Sequence, residues 1–248
     1  MTTKRSVLFG ALALLLGCSG SDSGSGNSQV DFTSFEWTEL NGDAPWAARA
    51  GLHTVELGGR FYLMGGRTPL DPATLPFPIP GASDFWSDVW VSEDEGVSWT
   101  EVLASGGSEH WAPRAYFQAV VKDDTMFVLG GQDFGMVSYF FWAVWSCTVG
   151  VSWAELSGDA GGAGRAGRRA VTCGVESYCV GGWQCDDAAI GPGEAPPRIY
   201  YHDVWKSADG AAWEEMTGDA PWEPRAGAVV VVKDDYMYLL GGERGFLC

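Results

Sequence analysis

The chain of 248 residues holds 15 lysines and arginines against 32 aspartates and glutamates, a formal charge of −17. Nucleic acid and anionic surfaces are held by basic stripes, so neither is expected as an electrostatic partner. Its 35 glycines and 13 tryptophans point to short strands, tight turns and large aromatic wedges, and internal repetition decides for a single all-β array over two smaller domains.

The first residues have the layout of an export signal. Lys4 and Arg5 supply a positive start and Val7 to Leu16 an apolar run too short to span a bilayer. Leu15-Leu16-Gly17-Cys18 resembles the bacterial lipobox, in which cleavage leaves the cysteine as a lipidated N-terminus. Residues 1–17 are therefore expected to be a lipoprotein signal peptide and Cys18 the lipidation site. Residues 18–34, rich in Gly and Ser, form a flexible tether. The folded domain, residues 35–248, is then expected outside the cytoplasm, held to the cell envelope (outer membrane or cell surface) through lipid.

Four Trp-centred segments alternate bulky and polar residues as half-buried strands do: Phe35 to Leu40, and the stretches around Trp99, Trp153 and Trp213. Each leads through a loop to an arginine that opens a repeat. The repeats open at Arg49, Arg114, Arg165 and Arg225 and close at Gly65-Gly66, Gly130-Gly131, Gly181-Gly182 and Gly241-Gly242. Arginine and first glycine are 16 residues apart in every copy, while 65, 51 and 60 residues separate successive arginines. A fixed unit within variable spacing is a folding unit joined by loops.

Inside each unit two apolar strands flank Gly58-Gly59, Asp123-Asp124, Gly174-Val175 or Asp234-Asp235. Gly and Asp tolerate the positive φ that two-residue hairpins need, and Val175 fits if Gly174 alone takes it, as in a type II′ turn. Val229 to Val232 shows no alternation, so this strand is expected to be covered on both faces. After Gly-Gly come Asp88-Val89-Trp90, Ala143-Val144-Trp145 and Asp203-Val204-Trp205, then Ser92, Asp94 and Gly96 or Ser207, Asp209 and Gly210; the middle copy has Cys147 and Val149 instead.

Arginine, hairpin, Gly-Gly, Asp-Val-Trp and late Trp together resemble the kelch motif, whose repeats each form one four-stranded blade of a β-propeller. The resemblance covers about residues 35–242 and implies an all-β, kelch-type propeller with about three and a half blades present, part of a larger ring of six or seven. The Trp segment at Phe35 would then complete the last blade. An open arc would leave apolar faces at its ends and an unpaired edge near Leu239. Residues 92–99 also resemble the Asp-box, a hairpin-stabilising turn of sialidases and other propellers.

No nucleophile motif, zinc spacing or phosphate loop is present, and His53, His110 and His202 are scattered, so neither metal nor cofactor is expected. Galactose oxidase resembles this propeller class, but its copper ligands have no counterpart here. Trp46, Trp111 and Trp222 each stand three residues before a repeat arginine. Tryptophan faces suit sugar rings and arginine suits carboxylates, which makes Trp46, Arg49, Trp111, Arg114, Arg165, Trp222 and Arg225 the candidate ligand-binding residues. The competing account is packing, with Trp capping a blade edge and Arg bonding neighbouring loops. Two functions follow: a binding module for a glycan or a protein, or, by resemblance to a kelch-type sialic acid epimerase or to sialidases, a sugar-converting enzyme. Cys173 and Cys179 are expected on opposite faces of their hairpin and so not bonded to each other. Cys185 is the better partner for one of them, with pairing among Cys147, Cys173, Cys179, Cys185 and Cys248 otherwise open.

Overall fold

A computed structural model describes residues 38–75, 82–133, 140–158, 162–185 and 198–245. The export signal, Cys18, the tether, Phe35 to Trp37 and Cys248 lie outside the described residues. Three antiparallel sheets of four strands follow one another. The first holds β1 (His53–Leu57), β2 (Arg60–Pro69), β3 (Ser83–Ser92) and β4 (Thr100–Leu103), in sequence order. The second holds β5 (Gln118–Lys122), β6 (Thr125–Leu129), β7 (Val144–Cys147) and β8 (Ala154–Ser157). The third holds β9 (Arg169–Cys173), β10 (Glu176–Cys185), β11 (Arg198–Ser207) and β12 (Glu214–Thr217). A hairpin, β13 (Val229–Lys233) with β14 (Tyr236–Leu240), forms a fourth sheet of two strands. The innermost strands pack in succession, β1 on β5, β5 on β9 and β9 on β13, so the sheets stand side by side as blades of a propeller-like arc.

The hairpin turns are those the residues require. Asp123, Asp124, Asp234 and Asp235 take φ between 48° and 62°, and at Gly174-Val175 only the glycine is left-handed, φ 61°. Between blades lie apolar layers. Tyr62, Met64 and Val89 face Phe117, Met126 and Val128 across the first seam, Leu129 and Val144 meet Cys179 and Trp205 across the second, and Cys173, Val180 and Val204 meet Met237 and Leu239 across the third.

A backbone bond stitches each seam. The second glycine of each pair donates its N–H to the carbonyl of the next blade's arginine: Gly66 to Arg114 (3.0 Å), Gly131 to Arg165 (3.0 Å) and Gly182 to Arg225 (3.1 Å). A Cβ on Gly66, at φ 101°, would stand 3.0 Å from both the Ala50 carbonyl and the Leu52 nitrogen. That crowding, together with φ, excludes any larger residue.

Three expectations are corrected. The Trp strands begin one residue after Trp99, Trp153 and Trp213; the rings instead close the preceding turn, each indole N–H donating to the carbonyl of Gly96, Gly150 or Gly210 at 2.9 to 3.2 Å. Thr38 to Leu40 is not a strand and joins no part of the last sheet. The adjoining Asn41 instead donates to Val97 O (2.9 Å) at the outer turn of the first blade. Finally, Val229, Val231 and Val232 are 40 to 48% exposed, because among the described residues no blade covers the far side of β13.

The turns that carry Ser, Asp and Gly are closed by their own side chains. Asp94 accepts from the Ser98 amide (2.8 Å) and Asp209 from Ala211 and Ala212 (2.9 Å each), while Ser92 and Ser207 Oγ accept from Gly96 and Gly210 (2.8 Å). In the middle copy Cys147 Sγ takes the serine's place and accepts from Gly150 N–H at 3.0 Å. Cys173 stands opposite Glu176 and Cys179 opposite Ala170. Cys179 is a buried free thiol, pushed up to about 11 by burial, and Cys147 is also free. Cys173 and Cys185 are each disulfide-bonded. Cys185 ends β10 while Cys173 pairs with its first residue, so nine residues of extended chain, roughly 30 Å, separate them and they do not bond to one another. The expected partnership of Cys185 with Cys173 or Cys179 is thereby corrected.

Candidate functional site

The repeat arginines lie within the blades. Each sends Nη1 to the carbonyl of the first glycine of its own Gly-Gly: Arg49 to Gly65 (3.1 Å), Arg114 to Gly130 (3.0 Å), Arg165 to Gly181 (3.4 Å) and Arg225 to Gly241 (2.8 Å). The constant 16-residue spacing is the imprint of that bond. In the first and third blades the same nitrogen pairs with the Asp-Val-Trp aspartate, Arg49 with Asp88 (2.7 Å) and Arg165 with Asp203 (2.6 Å). The other aspartate oxygen accepts from the indole of Trp90 or Trp205 (2.8 Å each). An aromatic ring two residues before the aspartate position lies against three of the four guanidinium groups, Trp86 on Arg49 at 4.8 Å, Phe141 on Arg114 at 3.7 Å and Tyr201 on Arg165 at 3.4 Å. Where Ala143 replaces the aspartate, Phe141 is what Arg114 keeps, and burial draws that guanidinium down to about 9.

The tryptophans behave alike. Trp111 is fully buried, edge-on to Trp153 at 4.3 Å. Trp222 is buried in the third seam, its carbonyl accepting from His202 Nδ1 at 2.9 Å. Trp46 is half-buried, edge-on to Trp90 (5.8 Å) and Trp99 (5.0 Å). Of the seven residues named from sequence, Trp111, Arg114, Arg165 and Trp222 are buried, the Arg49 side chain is 2% exposed, and Trp46 and Arg225 retain partial exposure. The expected display of paired Trp and Arg on one face is thus corrected. Regular repetition here serves packing, because every blade must close the same seam.

A different set links all four sheets. The residues two beyond each arginine, Gly51, Tyr116, Gly167 and Gly227, all have left-handed φ, 56 to 66°. Their backbones link across the blades, with Tyr116 N–H donating to Gly51 O (2.9 Å), Gly167 N–H to Tyr116 O (3.1 Å) and Gly227 N–H to Gly167 O (3.0 Å). Tyrosine at such a position costs on the order of 1 kcal/mol relative to glycine. Three repeats avoid that cost and the second accepts it.

The Tyr116 hydroxyl accepts from Arg67 Nε at 3.3 Å, the guanidinium lies 5.7 Å from the ring centre, and Arg67 Nη1 donates to Ser83 Oγ at 2.9 Å. Arg67 is the residue directly after Gly-Gly. Its counterparts are Gln132, Trp183 and Glu243, and each of the four bridges the alanine after a repeat arginine, Ala50, Ala115, Ala166 or Ala226. Gln132 is fully buried with neither Oε1 nor Nε2 hydrogen-bonded. Trp183 packs against Phe140 (5.4 Å) and Tyr200 (6.4 Å, stacked), and Arg67, Tyr116, Phe140 and Tyr200 are all half-exposed. A guanidinium beside a phenol and flanking rings can hold a carboxylate and pack a sugar ring. The sequence signal for this set is present: three repeats read Arg-Ala-Gly and one reads Arg-Ala-Tyr.

A second polar belt runs along the first residues of the inner strands. Gln118 Oε1 accepts from Arg169 Nη1 (3.5 Å), Gln118 Nε2 donates to Phe117 O (2.8 Å), and Arg169 Nε donates to Ala228 O. His53 lies beside Phe117, ring centres 6.1 Å apart, with Nδ1 buried and unbonded. Burial first, and the Arg169 charge second, lower the His53 pKa below 6.5. A histidine kept neutral by folding binds its proton more readily when unfolded. Its contribution is therefore present above pH 6.5 and is lost as pH falls through 6.5 toward the depressed folded value. Unfolding free energy is expected to decline with acidification in that window, less steeply in His53→Gln. An unchanged slope in denaturant titrations at about pH 7.5, 6.5 and 5.5 would count against this role.

No family model matches the chain, and no curated protein matches it. A solved structure described as "Structure of YjhT" superposes with a TM-score of 0.58 at 16% identity, over 80% of this chain and 60% of that one. At that identity the likeness is one of fold alone, and this chain spans 60% of the other's length.

Proposed function

We propose that this chain is a kelch-type propeller, lipid-anchored at Cys18 outside the cytoplasm, that binds an acidic glycan, free or carried on a protein, where Arg67, Tyr116, Phe140 and Tyr200 of the first three blades converge. The observation that carries the reading is Tyr116 in a left-handed conformation that the other three repeats give to glycine. A backbone cost retained at one blade and set under a guanidinium is the signature of a functional position rather than a packing one. The exposure of Val229, Val231 and Val232 on β13 supports a larger ring of which these blades form part. Export is supported by the signal-like N-terminus and by disulfide-bonded Cys173 and Cys185. Cys18→Ala should abolish labelling by a radioactive fatty acid, and labelling that persists would reject the anchor.

On a screen of uronic-acid and sialic-acid glycans, Arg67→Lys is expected to weaken binding about tenfold or more, since a point charge cannot replace the planar fork. Tyr116→Gly should weaken it similarly while leaving the melting temperature unchanged or raised, because the backbone strain is relieved. Unaltered affinity in Tyr116→Gly would reject the site. A second reading, a sugar-converting enzyme of the sialic acid epimerase or sialidase type, is favoured by the same pair: Arg67 would hold the carboxylate and the Tyr116 hydroxyl, 3.3 Å from Arg67 Nε, would be a proton-bearing group beside it. Turnover of a sialic acid, lost in Tyr116→Phe, would decide for it.

A further inference from the structure

We infer that the second blade binds one small carboxylate, of formate size, between Arg114 and Trp145, at the position that an aspartate side chain fills in the first and third blades. In those two blades a pair of donors holds the aspartate. Asp88 Oδ1 accepts from Arg49 Nη1 (2.7 Å) and its Oδ2 from Trp90 Nε1 (2.8 Å); Asp203 Oδ1 accepts from Arg165 Nη1 (2.6 Å) and its Oδ2 from Trp205 Nε1 (2.8 Å). The second blade keeps both donors and has Ala143 in place of the aspartate. Alanine and aspartate share a Cβ, so the two side chains differ by one carboxyl group. That difference sets the size of the ligand.

Both donors are set as they are in the other blades. Arg114 is turned by the same bonds as Arg49, with Nε donating to the carbonyl two residues earlier (Ala112, 3.0 Å) and Nη1 to the first glycine of its pair (Gly130, 3.0 Å). Trp145 pairs with Val128 as Trp90 pairs with Leu63 and Trp205 with Cys179, and the register with the outer strand shifts just before all three tryptophans. What each donor lacks is the carboxylate. Trp145 Nε1 is buried without a hydrogen bond. Arg114 is 2% exposed, and among the described residues no carboxylate pairs with it. Burial lowers its pKa to about 9, while Asp133 and Glu155, acting through space, raise it. A buried guanidinium without a counter-charge and a buried indole N–H without an acceptor are both costly, and one bound carboxylate would satisfy the two together. Two oxygens, one for each donor, suit this pair better than a halide ion.

The test titrates the 248-residue chain with carbon-13 formate, at constant ionic strength held with the bulky anion of MOPS, and follows both the formate line width and the melting temperature. Saturable broadening is expected, with a rise in melting temperature of about 4 °C or more at saturation. Ala143→Asp should supply the carboxylate from the chain itself, raising the melting temperature without formate and abolishing the response to it. Trp145→Phe, which keeps a packed ring and removes the N–H, should weaken formate binding about tenfold or more. Absence of saturable broadening by the native chain, or broadening undiminished in the two variants, would overturn the proposal. Chloride that binds more tightly than formate would assign the site to a halide and overturn the carboxylate. Glycan binding through Arg67 is a separate readout, and formate broadening that disappears in Arg67→Lys would place the anion there and overturn the assignment to Arg114 and Trp145.

Discussion

Arg165→Ala is expected to destabilise the chain by about 3 to 5 kcal/mol, the cost of leaving one partner of a buried ion pair unpaired. Arg165 and Asp203 lie 2.6 Å apart with side chains 3 and 8% exposed, so the stranded carboxylate would keep only the Trp205 indole as a donor. The substitution also removes the cation from the Tyr201 ring. A fall of roughly 10 °C in the melting temperature follows for a domain of this size. Adding Asp203→Leu should restore part of the loss, since an apolar pair need not be solvated. Arg225→Ala, at the same repeat position but with exposed bonds, should change stability by about 0.5 kcal/mol or less. Equal melting of the Arg165→Ala and Arg225→Ala chains would refute a buried structural arginine.

Trp111→Ala is expected to cost about 3 to 5 kcal/mol, as for other large aromatics emptied from a core. Its ring is fully buried between the first two blades, edge-on to Trp153 and His110. Trp46→Ala, three residues before its own repeat arginine but half-exposed and held by two edge contacts, should cost about 1 kcal/mol. Denaturant midpoints for the two variants separate the cases. A mild Trp111→Ala phenotype joined to lost glycan binding would return the ligand site to the Trp and Arg pairs.

The blade plan is legible from spacing and turn chemistry. Sixteen residues from arginine to glycine, turn pairs rich in Asp and Gly, and recurring Val-Trp segments predict the hairpins and the third strands, and the opposite facing of Cys173 and Cys179 reads the same way. The Trp segments fall one residue away from expectation because an indole that caps a turn and one that begins a strand have the same sequence neighbours. Alternation around Trp99 does not reveal that its ring N–H is taken by the Gly96 carbonyl.

What the sequence determined by itself is local: which pairs take positive φ, where chains reverse, and that one unit recurs four times. Those preferences belong to one or two residues and need no neighbour. Only the tertiary structure decided what the repeat arginines and tryptophans do, because their exposure depends on residues from the far strand of the same blade or from the next. Arg165 is buried by Asp203 and Tyr201, and Trp111 by Trp153. The same long-range packing turned Tyr116 from a deviation in a repeat into a phenol beneath Arg67, and left Val229, Val231 and Val232 exposed despite a sequence that asks for burial. Apolar content is written in the chain, whereas its burial is settled by the surface that comes to lie against it.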